Sequence, residues 1–538
     1  MATKGIKTFH QDDLGKGINL FTRDTMIADN ECMDGWNVWA VGKNSIAKRP
    51  GVVLFGEVAG DKPIDGLGTY YSGSTRKMLA MSNGSLTDMS TGTAVALSAV
   101  PASSNVFSTA QRADFSQAGG KTFVGNGVEN IRYFDGTTMR EETGSIKARY
   151  LIFYKSCLWA TGNTTSGNET KLYRSGDGAT GVAPGNAIGN FTYHATNNPL
   201  ATSKYVSQSD GQILNGFFKH QDYLYPVKER SLWRATVGSD AAQLISLELV
   251  DPSRGTDSHH SIDTVENDNF MFNEVGVFAT GYEPNILDQI RTNIVSLRVD
   301  PKLKAIQKDR LDDVEGIFFD NHYYLSYTSA GGTYNDTFLV YDRQRLGWWE
   351  FQVAGGTGTY IGANCFCEWK NPSGETKLYF GSPVDGKIYY FDEDIKKDPG
   401  YNISTSFVSK KYGIEKNLSQ VKFFLDAELY FGKTAGDVTI TIKIDGEVAE
   451  TLDILIGNTG AAGIGIGAIG TPTIGVGAGS LSLADSGGGD WVKIPINKQG
   501  RNIEITITDT TSTKSWELNA IVAHYKPLNE LYQPNVKT

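Results

Sequence analysis

Between about residues 50 and 400 the chain repeats one local phrase: a short apolar run, a turn residue, then a second short run of alternating aromatic and polar positions. The run 77–81 turns at Asn83-Gly84 into 86–89, and 121–124 turns at Gly125-Asn126-Gly127 into 131–136. The runs 171–174, 223–225 with 231–234, 270–272 with 275–278, and 322–327 with 337–342 have the same form, as does 377–380, which turns at Asp385-Gly386 into 388–392. Each pair reads as a β-hairpin, because Asn-Gly and Asp-Gly supply the left-handed backbone that a tight turn between period-2 strands requires. Several outgoing strands end in an aromatic-aromatic-Asp phrase, such as Tyr133-Phe134-Asp135 and Tyr390-Phe391-Asp392. The spacing between outgoing strands is roughly 40 to 60 residues, the length of a four-stranded blade, so about six to seven blades fit before residue 400. The chain is thus predicted to be all-β, with a β-propeller over 55–400; an array of β-sandwiches of equal strand content is the competing architecture. Helical periodicity is nearly absent, and the stretch 285–294 is the clearest exception, predicting a short surface helix.

After Pro399-Gly400 the texture changes. Runs 421–425, 438–444 and 503–507 alternate cleanly, Asp445-Gly446 joins the second to 448–452, and 516–524 closes the set. These predict a C-terminal β-sandwich over 401–538. Inside it, residues 457–489 form a Gly-rich insertion that carries Ile464, Ile466, Ile469, Ile474 and Val476 and no charge before Asp485. An uncharged surface loop of that length is expected to pack against neighbouring subunits or line a channel.

Composition narrows the classes. The chain has 538 residues, 40% hydrophobic and 20% charged, which describes a folded protein of two or three domains and excludes extensive disorder. Its 61 glycines and 11% aromatic residues suit short strands with frequent reversals. The net charge is −10, with no Lys/Arg-rich run of the kind that grips nucleic acid. An acidic surface is compatible with DNA passing without adhering. The opening residues contain no apolar core of a secretory signal, and no apolar span has bilayer length, so assembly in the cytoplasm is expected.

No chemistry is expected. Cys32 and Cys157 are isolated, and Cys365-Phe366-Cys367 lacks a second Cys pair or His cluster to complete a metal site, so all four read as reduced thiols. His259-His260, flanked by Asp257 and Asp263, reads as a solvated loop. The acidic doublets Glu141-Glu142 and Asp312-Asp313 are weak glycosidase signals. Ser175-Gly176-Asp177-Gly178 faintly resembles the turn of sialidase-type propellers but lacks the following Trp and the repeated copies, and reads as a blade turn. Nucleophile-elbow, zinc, phosphate-loop, dinucleotide and calcium motifs are absent. The expectation is no catalytic residue, no cofactor and no metal.

The most specific signal lies in residues 1–54, the expected N-terminal strap. Lys16-Gly17-Ile18-Asn19-Leu20 is followed by 24–31, ending Ala28-Asp29-Asn30-Glu31, then by Asp34-Gly35-Trp36-Asn37-Val38 and Lys48-Arg49-Pro50-Gly51. Asp29 and Asn30 suit the cap of a short helix reaching Asn37, and Lys48 to Gly51 suit a tight entry turn. This opening resembles that of the tail nozzle and packaged-DNA stabilisation proteins of short-tailed bacteriophages. The resemblance implies a structural, non-catalytic virion protein forming a ring of about six subunits below the portal and adaptor ring. It also implies contacts with tail fibres or spikes, and double-stranded DNA passing through the lumen without specific binding. A host membrane would be met only indirectly. The resemblance covers the strap well, the propeller by architecture alone and the C-terminal region weakly. Candidate subunit contacts are Asp29, Asn30 and Arg49 of the strap, with Ile464, Ile466, Ile469 and Ile474 of the insertion. The alternative functions are a host-surface glycan-binding or glycan-cleaving propeller, whose mark would be an aromatic-ringed central pocket with opposed carboxylates, and a cytoplasmic propeller scaffold.

Overall fold

The computed structural model describes residues 5–99, 107, 111–178, 187–194, 198–238, 245–282, 290–356, 358–371, 373–413, 420–432, 436–456, 480–483, 490–510 and 514–528. The chain divides into two compact units: Val53–Phe338 with Thr359–Phe391, and Met1–Val52 with Leu339–Gly358 and Asp392–Thr538. The division differs from three consecutive segments, because strands of the first 50 residues pair with strands beyond residue 400.

The larger unit is a β-propeller of seven blades. Its inner strands are Ile64–Ser72, Asp114–Ala118, Tyr150–Tyr154, Leu214–His220, Asp263–Val265, Glu315–Phe319 and Cys365–Lys370. Each lies next to the following one, and the seventh returns to the first, except between the fourth and the fifth; there the one-turn helix His259–Ser261 packs against the fourth and the sixth. In the seventh sheet the strand Gly51–Glu57 forms the outer edge, so an early segment closes the ring; Val58 N–H donates to Gly386 O at 2.8 Å.

The middle strands read as unbroken apolar runs because each blade is buried on both faces. In Thr75–Ser82, Met78 and Ala80 pack towards Cys365, Cys367 and Trp369 of the seventh blade, while Leu79 and Met81 pack towards Val124 and Phe134 of the second. The same alternation recurs at the second blade, where Phe123 faces Leu151 and Leu158 of the third, and at the fourth. There Phe217 and Leu224 face Trp159, and Phe218 and Tyr225 face Met271 and Phe278. Burying a side chain of this size contributes roughly 1.5–3 kcal/mol, so the spoke-like cores carry the unit. Asn83 and Gly84, with φ of 48° and 76°, make the expected two-residue turn. The Asp of the repeated phrase ends a third strand by accepting N–H groups from the following turn: Asp135 takes Thr137 and Thr138, and Asp392 takes Asp394.

One expectation is overturned here. Ile290–Ile294 is an outer strand paired antiparallel with Gly276–Tyr282, so no helix spans 285–294; residues 283–289 lie outside the described residues. Its Ile and Leu spacing mimicked a helix because an outer strand needs little apolar alternation.

The smaller unit is a β-sandwich. In one sheet, Glu517–Pro527 pairs with Lys422–Phe431 on one side and with Lys7–Gln11 and Ser45–Lys48 on the other, and Asp490–Gly500 extends it. In the second, Cys32–Trp36, Thr405–Ser409, Ile503–Asp509, Gly436–Ile444 and Glu447–Ile456 run in that order. Alternate residues such as Leu429, Phe431, Ile440, Ile442, Ile505 and Ile507 are completely buried. The strap is therefore part of the sandwich. No helix follows Asn30, since Cys32–Trp36 is a strand, and Lys48-Arg49 is not a turn. Lys48 Nζ pairs with Asp509 at 2.6 Å and Arg49 with Asp398 at 2.7 Å, all four wholly buried.

Candidate functional site

The first residues of the propeller's inner strands converge on one end of its axis. Three of these strands open with the same four-residue phrase, apolar-polar-Gly-apolar: Ile64-Asp65-Gly66-Leu67, Leu214-Asn215-Gly216-Phe217 and Val314-Glu315-Gly316-Ile317. Neighbouring strands approach most closely there. A Cβ on Gly66 would meet Ala113 O, one on Gly216 the His259 ring, and one on Gly316 the Tyr323 hydroxyl. Backbone this close leaves no ladder to satisfy its polar groups, so side chains do it. Asp114 accepts Leu151 N–H at 2.6 Å, Asp263 accepts Phe318 N–H at 2.6 Å, and Asn364 donates to Ile64 O at 2.8 Å, each stitching one blade to the next.

Arg112 spans this end. It precedes the second inner strand, yet its guanidinium donates to Asp312 O at 3.2 Å, to the Glu315 carboxylate and to Asn364 O at 2.6 Å, on the sixth and seventh blades. Arg112 and Glu315 are each 8% exposed in their side chains. Burial pushes Glu315 up to about 8, against the pull of Arg112. His260 Nδ1 lies 3.9 Å from Glu315, and His259 Nε2 lies 3.5 Å from Asp114. Burial first, then Arg112, holds His260 well below the ordinary imidazole range, so it is neutral at pH 7. The His pair is thus no solvated loop: it is packed between Tyr150 and Phe217, whose rings lie 4.4 and 5.6 Å from His259. This arrangement is a crossbar that ties the second blade to the sixth and seventh.

Asp65, 8% exposed, accepts Asn83 N–H at 2.9 Å, and burial pushes its carboxyl up to about 6. The folded chain keeps a proton there that an unfolded carboxyl releases near 3.8. The stability this group carries is full below that value and is lost as pH rises through 6. Asp65→Asn keeps an acceptor without the charge. It is expected to gain on the unaltered protein by up to about 3 kcal/mol between pH 4 and 7, read from urea midpoints. An unchanging difference across that range would refute the assignment.

Two cavities flank the crossbar region. One, of about 340 Å³, is lined by Arg149, Tyr150, Asn163, Asp257 and Asp312 among others, and burial pushes Asp257 up to about 6. The other, of about 620 Å³, lies further along the inner strands and is lined by Leu67, Tyr71, Phe115, Gln117, Phe366 and Glu368, with Arg76, Lys370 and Thr376.

Of the residues expected at subunit contacts, Asp29, Asn30 and Arg49 are among the described residues. Asp29 is paired with Lys410 at 2.7 Å, and Asn30 Nδ2 donates to Asp13 at 2.7 Å, both on the accessible side of the smaller unit. Arg49 is corrected: wholly buried, it donates to Asn37 Oδ1, Pro50 O, Gln352 O and Asp398, and its side chain is inaccessible to a neighbour. Ile464, Ile466, Ile469 and Ile474 lie outside the described residues. All four cysteines are buried and outside any disulfide, and burial pushes Cys367 up to about 12. Among the described residues one group has metal-ligating spacing, Asp426, Glu428 and His524, but Lys493 Nζ already bridges the two carboxylates at 3.1 and 2.8 Å. The crossbar was missed from sequence, since its members come from distant strand starts; the thrice-repeated apolar-polar-Gly-apolar phrase was the available signal.

No family model matches the chain, and no curated protein matches it by sequence. Among solved structures it is similar to the extracellular domain of a one-component system from B. thetaiotaomicron, at 9% identity and TM-score 0.42, covering 77% of this chain and 49% of that one. The chain thus spans about half the length of that protein. It is also similar to the N-terminal domain of Nup159, at 10% identity and TM-score 0.39, covering 67% of this chain and 100% of that one. A third similarity is to the WD40 domain of Neurospora crassa Pan2, at 7% identity and TM-score 0.33, covering 65% and 97%.

Proposed function

We propose that this chain is a non-catalytic ring component of the tail of a short-tailed bacteriophage, a nozzle subunit that retains packaged DNA and conducts it during ejection. The observation that carries the reading is the opening segment that resembles such proteins, together with what its residues do. Asn19 Nδ2 donates to Glu31 at 2.7 Å, Arg49 Nε donates to Asn37 at 2.9 Å, and Lys48 and Arg49 pair with Asp509 and Asp398. Polar residues interlocked in this way belong to the construction of the subunit, so the resemblance is one of build, and assembly is the level at which to test it.

The crossbar is compatible with the same reading. Arg112 and Glu315 tie blades together inside the subunit, and on this reading the DNA path runs between subunits, in the lumen of a ring of about six around a symmetry axis. The net charge of −10 suits a wall that DNA slides past. The portal-adaptor ring and fibre or spike proteins would be its neighbours in the virion.

Negative-stain images and mass photometry of the purified full-length chain test this. Closed rings of about six subunits with an axial hole are expected. A chain that stays monomeric at every concentration tried, and releases sugar from host polysaccharide, would replace the nozzle with the enzyme.

A further inference from the structure

We propose that the larger axial cavity of the propeller is a binding site for a neutral saccharide of one or two sugar units. The proposal does not rest on the ring reading. The cavity holds about 620 Å³ between the inner strands of the first, second, sixth and seventh blades, within the range of small-ligand sites.

Its lining selects the ligand class. Phe115, Phe366 and Tyr71 offer aromatic faces, while Gln117, Arg76, Glu368, Lys370 and Thr376 offer polar groups. A wholly apolar ligand would strand these polar groups without partners. An anion would meet Glu368, and a cation would meet Arg76 and Lys370. What suits both surfaces is a molecule with apolar C–H faces and a rim of hydroxyls, each able to donate and accept. Planar amide, carboxylate and guanidinium groups can each bridge two neighbouring hydroxyls, and aromatic faces take the ring C–H groups.

The polar groups are also available. Gln117 Nε2 donates to Tyr71 O, which leaves its side-chain oxygen as a fixed acceptor. Arg76 is steadied over the Tyr71 ring, 5.7 Å from its centroid, a contact that itself takes none of the guanidinium N–H donors. Glu368 and Lys370 are exposed at the rim, on alternate outward positions of Cys365–Lys370. Phe366, 8% exposed, is held from behind by Phe338 at 6.2 Å, so the aromatic wall is rigid before a ligand arrives.

The test uses the full-length protein with lactose, maltose and cellobiose as probes, by calorimetry and saturation-transfer NMR. Saturable binding of at least one disaccharide is expected, weakened at least tenfold by Arg76→Ala and by Glu368→Gln. Both residues sit at the rim, where loss of the side chain leaves the core intact. Trp491→Ala is the control, because that exposed Trp, stacked on Tyr430 at 5.0 Å, is the rival sugar platform on the sandwich. The site is overturned if no disaccharide binds at tens of millimolar, or if binding ignores the rim variants and disappears in Trp491→Ala. Adenosine monophosphate or inorganic phosphate bound in preference to every disaccharide overturns the neutral-saccharide assignment.

Discussion

Arg112→Met is expected to lower the stability of the propeller by about 1–3 kcal/mol, the cost of leaving the buried Glu315 carboxyl and two carbonyls without their hydrogen-bond donor. Arg112 is the only described cation in hydrogen-bond contact with Glu315, and the two are buried among the inner strand starts of four blades. Removing the guanidinium also frees the carbonyls of Asp312 and Asn364. Glu315→Gln is milder, because the amide still accepts Phe366 N–H and the cation keeps two carbonyl acceptors. The combined Arg112→Met/Glu315→Leu variant recovers much of the loss, since two well-packed apolar groups leave no unsatisfied carboxyl. Chemical denaturation followed by tryptophan emission measures all three. A single-variant loss under about 1 kcal/mol, typical of exposed pairs, would show that the crossbar is not a tie between blades.

Lys48→Met has the second large effect, in the sandwich. Lys48 and Asp509 are both completely buried and 2.6 Å apart, so the variant removes the buried cation that faces Asp509, at a cost of about 3–5 kcal/mol. The direction for Lys48 itself is downward from the ordinary lysine range, because burial outweighs the attraction of Asp509. The natural comparison is Lys410→Met. Its partner Asp29 is 58% exposed, and loss of that pair is expected to cost less than about 1 kcal/mol. Equal thermal midpoints for Lys48→Met and Lys410→Met would contradict the burial argument.

These two pairs mark where sequence reasoning worked and where it stopped. The hairpins at Asn83-Gly84 and Asp445-Gly446 were legible because turn chemistry is local: the residues that need positive φ sit beside the strands they join. Most second and third strands were legible for a related reason, as burial on both faces makes them dense apolar runs. Fourth strands were not. Thr202–Tyr205 and Ile245–Asp251 are largely exposed, so nothing in their composition distinguishes them from loop. Ile290–Ile294, likewise an outer strand, passed for a helix.

Lys48-Arg49 shows the limit more sharply. Beside Pro50-Gly51 a basic dipeptide reads as a surface turn, and only partners 461 and 349 residues away, Asp509 and Asp398, make it an interior feature. Arg112 and Glu315 are separated by 203 residues; Glu315 sits in the repeated apolar-polar-Gly-apolar phrase, but nothing local marks Arg112 as its partner.

What the sequence determined by itself, then, is the periodicity: short strands, their turns, the radial repeat and the change of texture after residue 400. The strands and turns depend on neighbours within about ten residues along the chain, and the radial repeat on their recurrence every roughly 40 to 60. The tertiary structure alone decided the ring's closure, the strap's place inside the sandwich, and which charges are buried. Those outcomes depend on which distant strands meet, and a charge is a surface group or a structural tie according to what lies across from it.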